Sequence, residues 1–391
     1  MQIALVHMRH APIGGTELVL DRLAATLAQR GHAVTIVCRT HGAESRPDVR
    51  FEVLASASVG SAWRMWAFAK DVERHVQRAS YDLVLALGKT WTHDVIRSSG
   101  GSHATYVEQM RRAGGLGWRG RPLLGGLKDR MAVAIERRAY ARGAYRRVIA
   151  NSRMVRDDLG RRYGVAADEV DVVYNGVDLA RFHPRHRASA AEVRRELGLA
   201  AGDFVFLFLG TGFARKGLER TLRAFAQVAA VRRDCALVVA GRDSSQASYE
   251  RLAAELGIAA RVHFLGERRD PEAWLAASEV HVLPTWYDSF AFTVLEALAS
   301  GTPVITTDGA GAAELIEPGV HGERLASACS PDELAAAMFA WADRDRVRAA
   351  APAVRERAEQ FGFDAAMAQL AGVLERAALS KAPMEALGRG Q

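Results

Sequence analysis

Two carboxylates, Asp288 and Glu296, stand eight positions apart in the run PTWYDSFAFTVLEALASGTPVITT. The flanks, VHVLP before and PVITT after, read as buried strands, so the acids straddle a loop and the start of a helix, FAFTVLEALAS, which Gly301 ends. Amides near Phe292, Thr293 and Val294 are the free donors of that first turn, and together with the helix dipole they suit a phosphate. Glu296, within the first turn or so, then comes close enough to accept hydrogen bonds from a ribose diol, and Asp288 reaches hydroxyls beyond the phosphates. Two acids so placed bracket a nucleotide sugar. Helix capping by Asp288 and a solvated Glu296 satisfy the same spacing.

A cationic partner for a diphosphate occurs upstream in FLGTGFARKGLERTLRAF, where Arg215 and Lys216 lie in the loop after an expected strand. Such a pair is otherwise a solvated turn, but the chain has five lysines against 47 arginines, so a lysine here draws notice. The glycine pair Gly14–Gly15 in IGGT joins a first strand to a first helix and allows close backbone approach to an anion, or simply a tight turn. It is not the G-x-G-x-x-G fingerprint, which argues against hydride transfer. His103, in RSSGGSHATY, follows a glycine pair and could lie at the cleft, although a lone histidine is more often structural, and Lys89, in LALGKTW, sits at a strand end where a ligand could meet it. Metal chemistry has little support: the D-x-D at Asp343 and Asp345 falls in a helical charge cluster, and no P-loop or serine–histidine–aspartate pattern can be read.

These residues need a scaffold that brings strand ends together. Short apolar runs alternate with amphipathic helices twice along the chain. QIALVHM, HAVTIVCRT, YDLVLALG, RRVIANS and VDVVYNGVD form one series; DFVFLFLG, CALVVAG, RVHFLG, EVHVLPT and TPVITT form the other. This alternation predicts parallel sheets covered on both faces, hence an α/β protein of two doubly wound, Rossmann-like domains facing a central cleft. The expected division is 1–183, with a C-terminal helix 363–380 packing back on it, and 184–362, followed by a flexible tail 381–391.

At 391 residues, 49% of them apolar and 25% charged, the chain is of the soluble globular kind. Three scattered cysteines give no disulfide frame, and no run approaches the roughly 20 apolar residues of a membrane span. The formal net charge of +7 is local: residues 107–147 hold eleven cations and three acids. Leu116, Trp118, Leu123, Leu124 and Leu127 intermix with arginine there, as in segments that dock on anionic membrane surfaces. A solvated face is the plain alternative. No nucleic-acid-binding module is recognisable.

The stretches IGGTE, VVYNGVDLARFHP, RKGLERTLRAF and DSFAFTVLEALASGTPVITT together resemble the family 4 retaining glycosyltransferases of the GT-B fold. LALGKTWTHDVIRSSGGSHATY and GFARKG are most similar to members that build the lipopolysaccharide core. The resemblance implies that Arg215 and Lys216 hold the donor diphosphate with the Phe292, Thr293 and Val294 amides, that Glu296 binds ribose and Asp288 the sugar. It further implies that Gly14 and Gly15 pack against phosphate and sugar, that His103 lies near the reacting carbon and that Arg268 meets the base. Lys89 would face an acceptor phosphate. The implied activity moves a hexose from a UDP-sugar to a lipid-linked acceptor, without metal or other cofactor. It would be carried out by a cytoplasmic monomer at the inner membrane face. A sugar-nucleotide epimerase and a non-catalytic sugar-nucleotide- or nucleic-acid-binding protein are the alternatives. Two departures stand out: Asp288 is an aspartate where glutamate is commoner, and Ala291 stands where glycine is frequent.

Overall fold

The computed structural model describes residues 1–11, 14–42, 46–55, 60–114, 126–200 and 202–380. Leu116, Trp118, Leu123 and Leu124 of the basic segment, and the tail 381–391, lie outside them. Contacts divide the described chain into two units, the first holding 1–104, 126–174 and 364–380 and the second 105–114 and 175–363. Residues 175–183, placed with the first unit on sequence grounds, go with the second. There the Val177 amide donates to the Phe361 carbonyl at 2.9 Å and the Val177 carbonyl accepts from Phe363 at 3.1 Å. Gly176 permits this approach, since a Cβ there would come within 2.6 Å of the Phe363 Cα.

The sheet of the first unit has seven strands: β1 (Gln2–Val6), β2 (Ala33–Cys38), β3 (Val49–Val53), β4 (Leu83–Ala86), β5 (Val95–Ser98), β6 (Arg147–Ala150) and β7 (Val170–Val172). All pair in parallel, in the order β3-β2-β1-β4-β5-β6-β7. The chain order reverses between β1 and β4, and ligands of such sheets meet the strand ends at that point. Of the basic segment, this unit holds the helix Leu127–Ala139, while the helix His103–Ala113 falls for the most part in the second unit. The C-terminal helix Phe363–Leu379 is tied to this unit by Glu375, which takes Arg30 and His32 at 3.1 Å each.

The second unit repeats the plan with β8 (Phe204–Leu209), β9 (Cys235–Ala240), β10 (Val262–Gly266), β11 (Val280–Leu283), β12 (Val304–Thr307) and β13 (Gly322–Leu325), ordered β10-β9-β8-β11-β12-β13 and parallel throughout. Every residue of β8 and β9 is buried, as continuous apolar runs in a doubly covered sheet require. Helix Leu218–Val231 lays Leu218, Leu222, Phe225 and Val228 on one buried face at helical spacing. Strands β3, β5 and β13 were not expected. Their sequences VRFEV, VIRS and GERL carry charges that break the apolar run, and their pairing follows from neighbouring strands.

Here too the chain order reverses beside the first strand, between β8 and β11. The loop after β8 is held against the loop after β11 by a near-contact of backbones. Gly217 has φ 82°, and a Cβ there would sit 2.1 Å from the Pro284 carbonyl oxygen. Substitution Gly217→Ala therefore combines left-handed strain with a backbone clash. It is expected to lower the unfolding free energy by about 3 kcal/mol, read as a fall in melting temperature.

Candidate functional site

In the second unit the two loops at the β8/β11 reversal deliver a compact ion cluster. The loop after β8 forms the short helix Phe213–Lys216, with left-handed glycines, Gly212 and Gly217, on either side. The Phe213 amide donates to Asp243 Oδ2 at 2.7 Å. From the loop after β11, the Trp286 amide and the Thr285 hydroxyl donate to the Arg215 carbonyl at 2.9 and 3.0 Å. This fixes the two loops to each other at the residues that matter. Arg220, buried beneath them, donates through Nε to the Pro284 carbonyl at 2.8 Å and through Nη1 to that of Ser327 at 2.7 Å, with its guanidinium 4.1 Å from the Trp286 ring centre. Neither Arg220 nor Asp243 was singled out from the sequence. One reads as an ordinary helix cation, the other as a loop acid, and only the fold shows what they hold.

Asp288 is the centre of the cluster. Its Oδ2 accepts from Lys216 Nζ at 2.7 Å and from Arg215 Nη1, while Oδ1 accepts from the amides of Phe290 and Ala291 at 3.1 and 2.7 Å. Burial would raise the Asp288 carboxyl, but Lys216 and Arg215 outweigh it and hold the group far below the usual carboxylate range. Burial lowers the Lys216 ammonium from its ordinary value, Asp288 pulling the other way and Arg215 adding to the drop. Every oxygen lone pair that faces the loop is engaged, so the acid shapes both the cation pair and the turn that follows.

That turn ends at Ala291, whose φ of 66° makes it the one non-glycine with positive φ among the described residues. Alanine in this region costs about 1–2 kcal/mol, held in place here by the Asp288 bonds to its own amide and to that of Phe290. The helix Phe292–Ala299 starts immediately after. The Phe292 and Thr293 amides have no acceptor among the described residues, as expected for a first turn, and the buried Thr293 hydroxyl is likewise unpaired. Val294 is a correction: its amide donates to the Ala291 carbonyl at 3.0 Å, because the carbonyl of the residue that caps a helix accepts the first bond of that helix. Glu296 falls in the second turn, and its carboxylate accepts no hydrogen bond among the described residues. Burial pushes it up to about 7 from 4.5, with Arg181 opposing, Glu272 adding and Lys216 opposing. An unpaired carboxylate of this kind can accept from a vicinal diol. Arg268 stands apart from the cluster at the end of the edge strand β10, gripped by both oxygens of Asp270 at 2.8 Å and by Glu196 at 3.4 Å.

The first unit carries the remaining candidates. Gly14 caps helix Gly15–Gln29 with φ 144°, and a Cβ there would lie 2.1 Å from Glu17 Oε2. The glycine thus makes room for the Glu17 side chain to fold over its own helix start, where His7 and Arg9 approach it at 3.8 and 3.4 Å. After β4 and β5 a second cluster forms around Glu136, which is buried. It takes Lys89 Nζ at 2.6 Å, the Tyr163 hydroxyl at 2.6 Å and the His103 amide at 2.9 and 3.1 Å. The structure thus pairs Lys89 internally. His103 Nε2 meets Asp129 Oδ1 at 2.8 Å. Burial and the Lys89 charge push the His103 imidazole below its ordinary range, against the pull of Asp129. Glu17, Asp129 and Glu136 were missed from the sequence, since acids on helices read as solvated faces. No group of histidine, cysteine and acidic side chains that could hold a metal ion occurs among the described residues.

Two doubly wound parallel-sheet units define an α/β protein of the GT-B class, and the second carries the Arg215–Lys216–Asp288 cluster at a reversal of strand order. Residues 189–358 match the family described as Glycosyl transferases group 1, and residues 13–181 match Glycosyltransferase Family 4. The chain belongs to these family 4-like glycosyltransferases. It is 24% identical over 336 residues, 85% of this chain and 87% of the relative, to the lipopolysaccharide glucosyltransferase WaaG of Escherichia coli (strain K12). It is 35% identical to the D-inositol 3-phosphate glycosyltransferase of Nocardia farcinica (strain IFM 10152), over 52% of this chain and 46% of that enzyme. A crystal structure of WaaG superposes with a TM-score of 0.80 at 23% identity, over 95% of this chain and 99% of that one. Anabaena HepE in complex with UDP-glucose gives 0.72 at 21%, over 96% and 100%.

Removing the Asp288 charge alone tests the cluster. In Asp288→Asn the turn amides keep an acceptor, but Lys216 and Arg215 lose their counter-charge. A loss of about 3 kcal/mol in unfolding free energy is expected. Added inorganic pyrophosphate should raise the melting temperature of the variant more than that of the wild type.

Proposed function

We propose that the chain is a retaining, metal-independent hexosyltransferase that takes its sugar from a nucleotide diphosphate donor, a UDP-sugar, and passes it to a lipopolysaccharide-core or other lipid-linked acceptor. The observation that carries this reading is the convergence of Lys216 and Arg215 on one carboxylate oxygen, beside a helix start with two unacceptored amides. Cleavage of a glycosyl–phosphate bond builds negative charge on the departing diphosphate while the sugar carbon becomes oxocarbenium-like. Fixed cations and amides aimed at that charge lower the barrier without reorganising. In this reading Lys216, Arg215 and the Phe292 and Thr293 amides meet the diphosphate. Glu296 accepts from the ribose hydroxyls, and Arg268 marks the base side. Retention follows from attack on the face the diphosphate leaves, with a leaving-group oxygen taking the acceptor proton. The names of WaaG and of the HepE–UDP-glucose complex support the choice of acceptor and donor class.

The described part of the basic segment fits an anionic membrane surface. Leu127, Lys128 and Arg130 are exposed on the helix Leu127–Ala139 of the first unit, and no helix among the described residues is long and apolar enough to cross a membrane. On this reading the enzyme works from the cytoplasmic side as a monomer, docked peripherally and close to its lipid acceptor.

Three measurements test the proposal. Incubation with a panel of nucleotide sugars, with and without lipid acceptor and with D-inositol 3-phosphate as a soluble one, should give transfer product only when acceptor is present. Conversion of donor alone would point to an epimerase, and no conversion to a binding protein. Lys216→Ala should lower kcat about 100-fold or more while the fold persists, because Asp288 keeps Arg215 and two amides. The pH dependence has a definite sign. A carboxyl raised to about 7 is protonated below that pH and becomes a double acceptor above it, so donor KM should fall as pH rises from 6 to 8. Glu296→Gln should flatten that profile.

A further inference from the structure

A second charged cavity opens in the second unit, at the opposite ends of the strands from the ion cluster. It encloses about 420 Å³ and is walled by Arg187, Arg194, Arg344 and Arg348, with Glu279 among them. Asp203 immediately precedes β8 and Glu279 precedes β11, so the cavity lies at the strand starts. The Arg215–Lys216 loop lies at the strand ends, and six residues of extended chain put roughly 20 Å between the two edges.

The charges in this cavity do not balance. Glu279 is fully committed: Oε1 accepts from Arg194 at 2.7 Å, with Arg344 at 3.5 Å, and Oε2 accepts from the Val205 amide at 2.7 Å. Arg348 meets Asp345 at 3.1 Å, an acid largely in solvent. Four guanidinium groups thus face two carboxylates, leaving two positive charges. Arg187 donates to the Gly301 carbonyl at 2.6 Å, yet its Nε is buried with no acceptor. Burial lowers its pKa, Glu279 opposing and Arg194 adding. Guanidinium forks are the donors best matched to phosphate oxygens. The volume is that of a small-metabolite site rather than of a bare ion. Ala190, Ala191, Ala276 and Val347 supply an apolar wall for an organic body.

We propose that this cavity binds a phosphomonoester of a small organic molecule, of the size and charge of a sugar phosphate, with Arg187, Arg344 and Arg348 meeting the dianion. The site is separate from the cluster at Asp288 and is occupied independently of it.

Isothermal titration of the full chain with glucose 6-phosphate, with and without excess UDP, tests this. The expected result is one site whose affinity is the same in both conditions. Binding should weaken about tenfold or more in Arg187→Gln and about threefold in Arg348→Gln. Inorganic phosphate should bind about tenfold more weakly than the sugar phosphate, since it leaves the apolar wall uncovered. Arg187 also holds the Gly301 carbonyl, so if Arg187→Gln fails to fold, Arg348→Gln alone decides; that side chain is mostly in solvent. Four results would each overturn the assignment: no binding by the wild type, loss of binding when UDP is added, unchanged affinity in the folded variants, or equal affinity for inorganic phosphate.

Discussion

One carboxylate oxygen shared by two cations organises the second unit. Asp288 Oδ2 holds Arg215 and Lys216 together, and Oδ1 holds the turn that starts the next helix. Neither loop could keep this arrangement alone. The cations come from the end of β8 and the acid from the end of β11, and these strands are neighbours only because the chain order reverses between them. The approach of Gly217 to Pro284, the hydrogen bonds from Arg220 to carbonyls and the two hydrogen bonds donated to the Arg215 carbonyl by the Trp286 amide and the Thr285 hydroxyl all serve to hold two strand ends in one register. A buried ion pair of this kind adds little net stability against its desolvation cost. Its value lies in fixing cation positions before any ligand arrives.

Both units place a carboxylate of their own near the start of a helix that follows a strand and loop. In the first it is Glu17, folded over the helix of which it is part, with His7 and Arg9 beside it. In the second it is Asp288, with Arg215 and Lys216. The likeness follows from the common plan of strand, loop and helix, which leaves unsatisfied amides and positive potential in the same place each time. The surroundings differ. Lys216 is buried and Arg215 partly so, whereas Arg9 stands mostly in solvent. The second unit is therefore the better cradle for a multiply charged group.

The sheets were legible because their strands are continuous apolar runs; FVFLFL and CALVVA admit no other reading once helices of 3.6-residue period flank them. Strands such as VRFEV and GERL were not, since charges interrupt them and neighbours decide their pairing. In the site, Arg215, Lys216, Asp288 and Glu296 could be picked out because residue type, rarity and position after a strand coincide. Three features were out of reach. That Asp288 ties the cations follows from strand order, which local sequence does not show. The engagement of the Val294 amide follows from the residue at which the helix begins, Phe292, so that the Ala291 carbonyl is already within reach. Glu136 sits on a helix of mixed charge, and only the fold buries it.

Glu136 also joins parts of the first unit that are remote in sequence. Lys89 follows β4, His103 follows β5, and Tyr163 ends a helix that follows β6, yet all three bond to this one side chain. Loops at the ends of separate strands are ordinarily free to vary on their own. Here they share a mechanical node, so a displacement of any one is passed to the other two, and the geometry around His103 is set jointly by all of them.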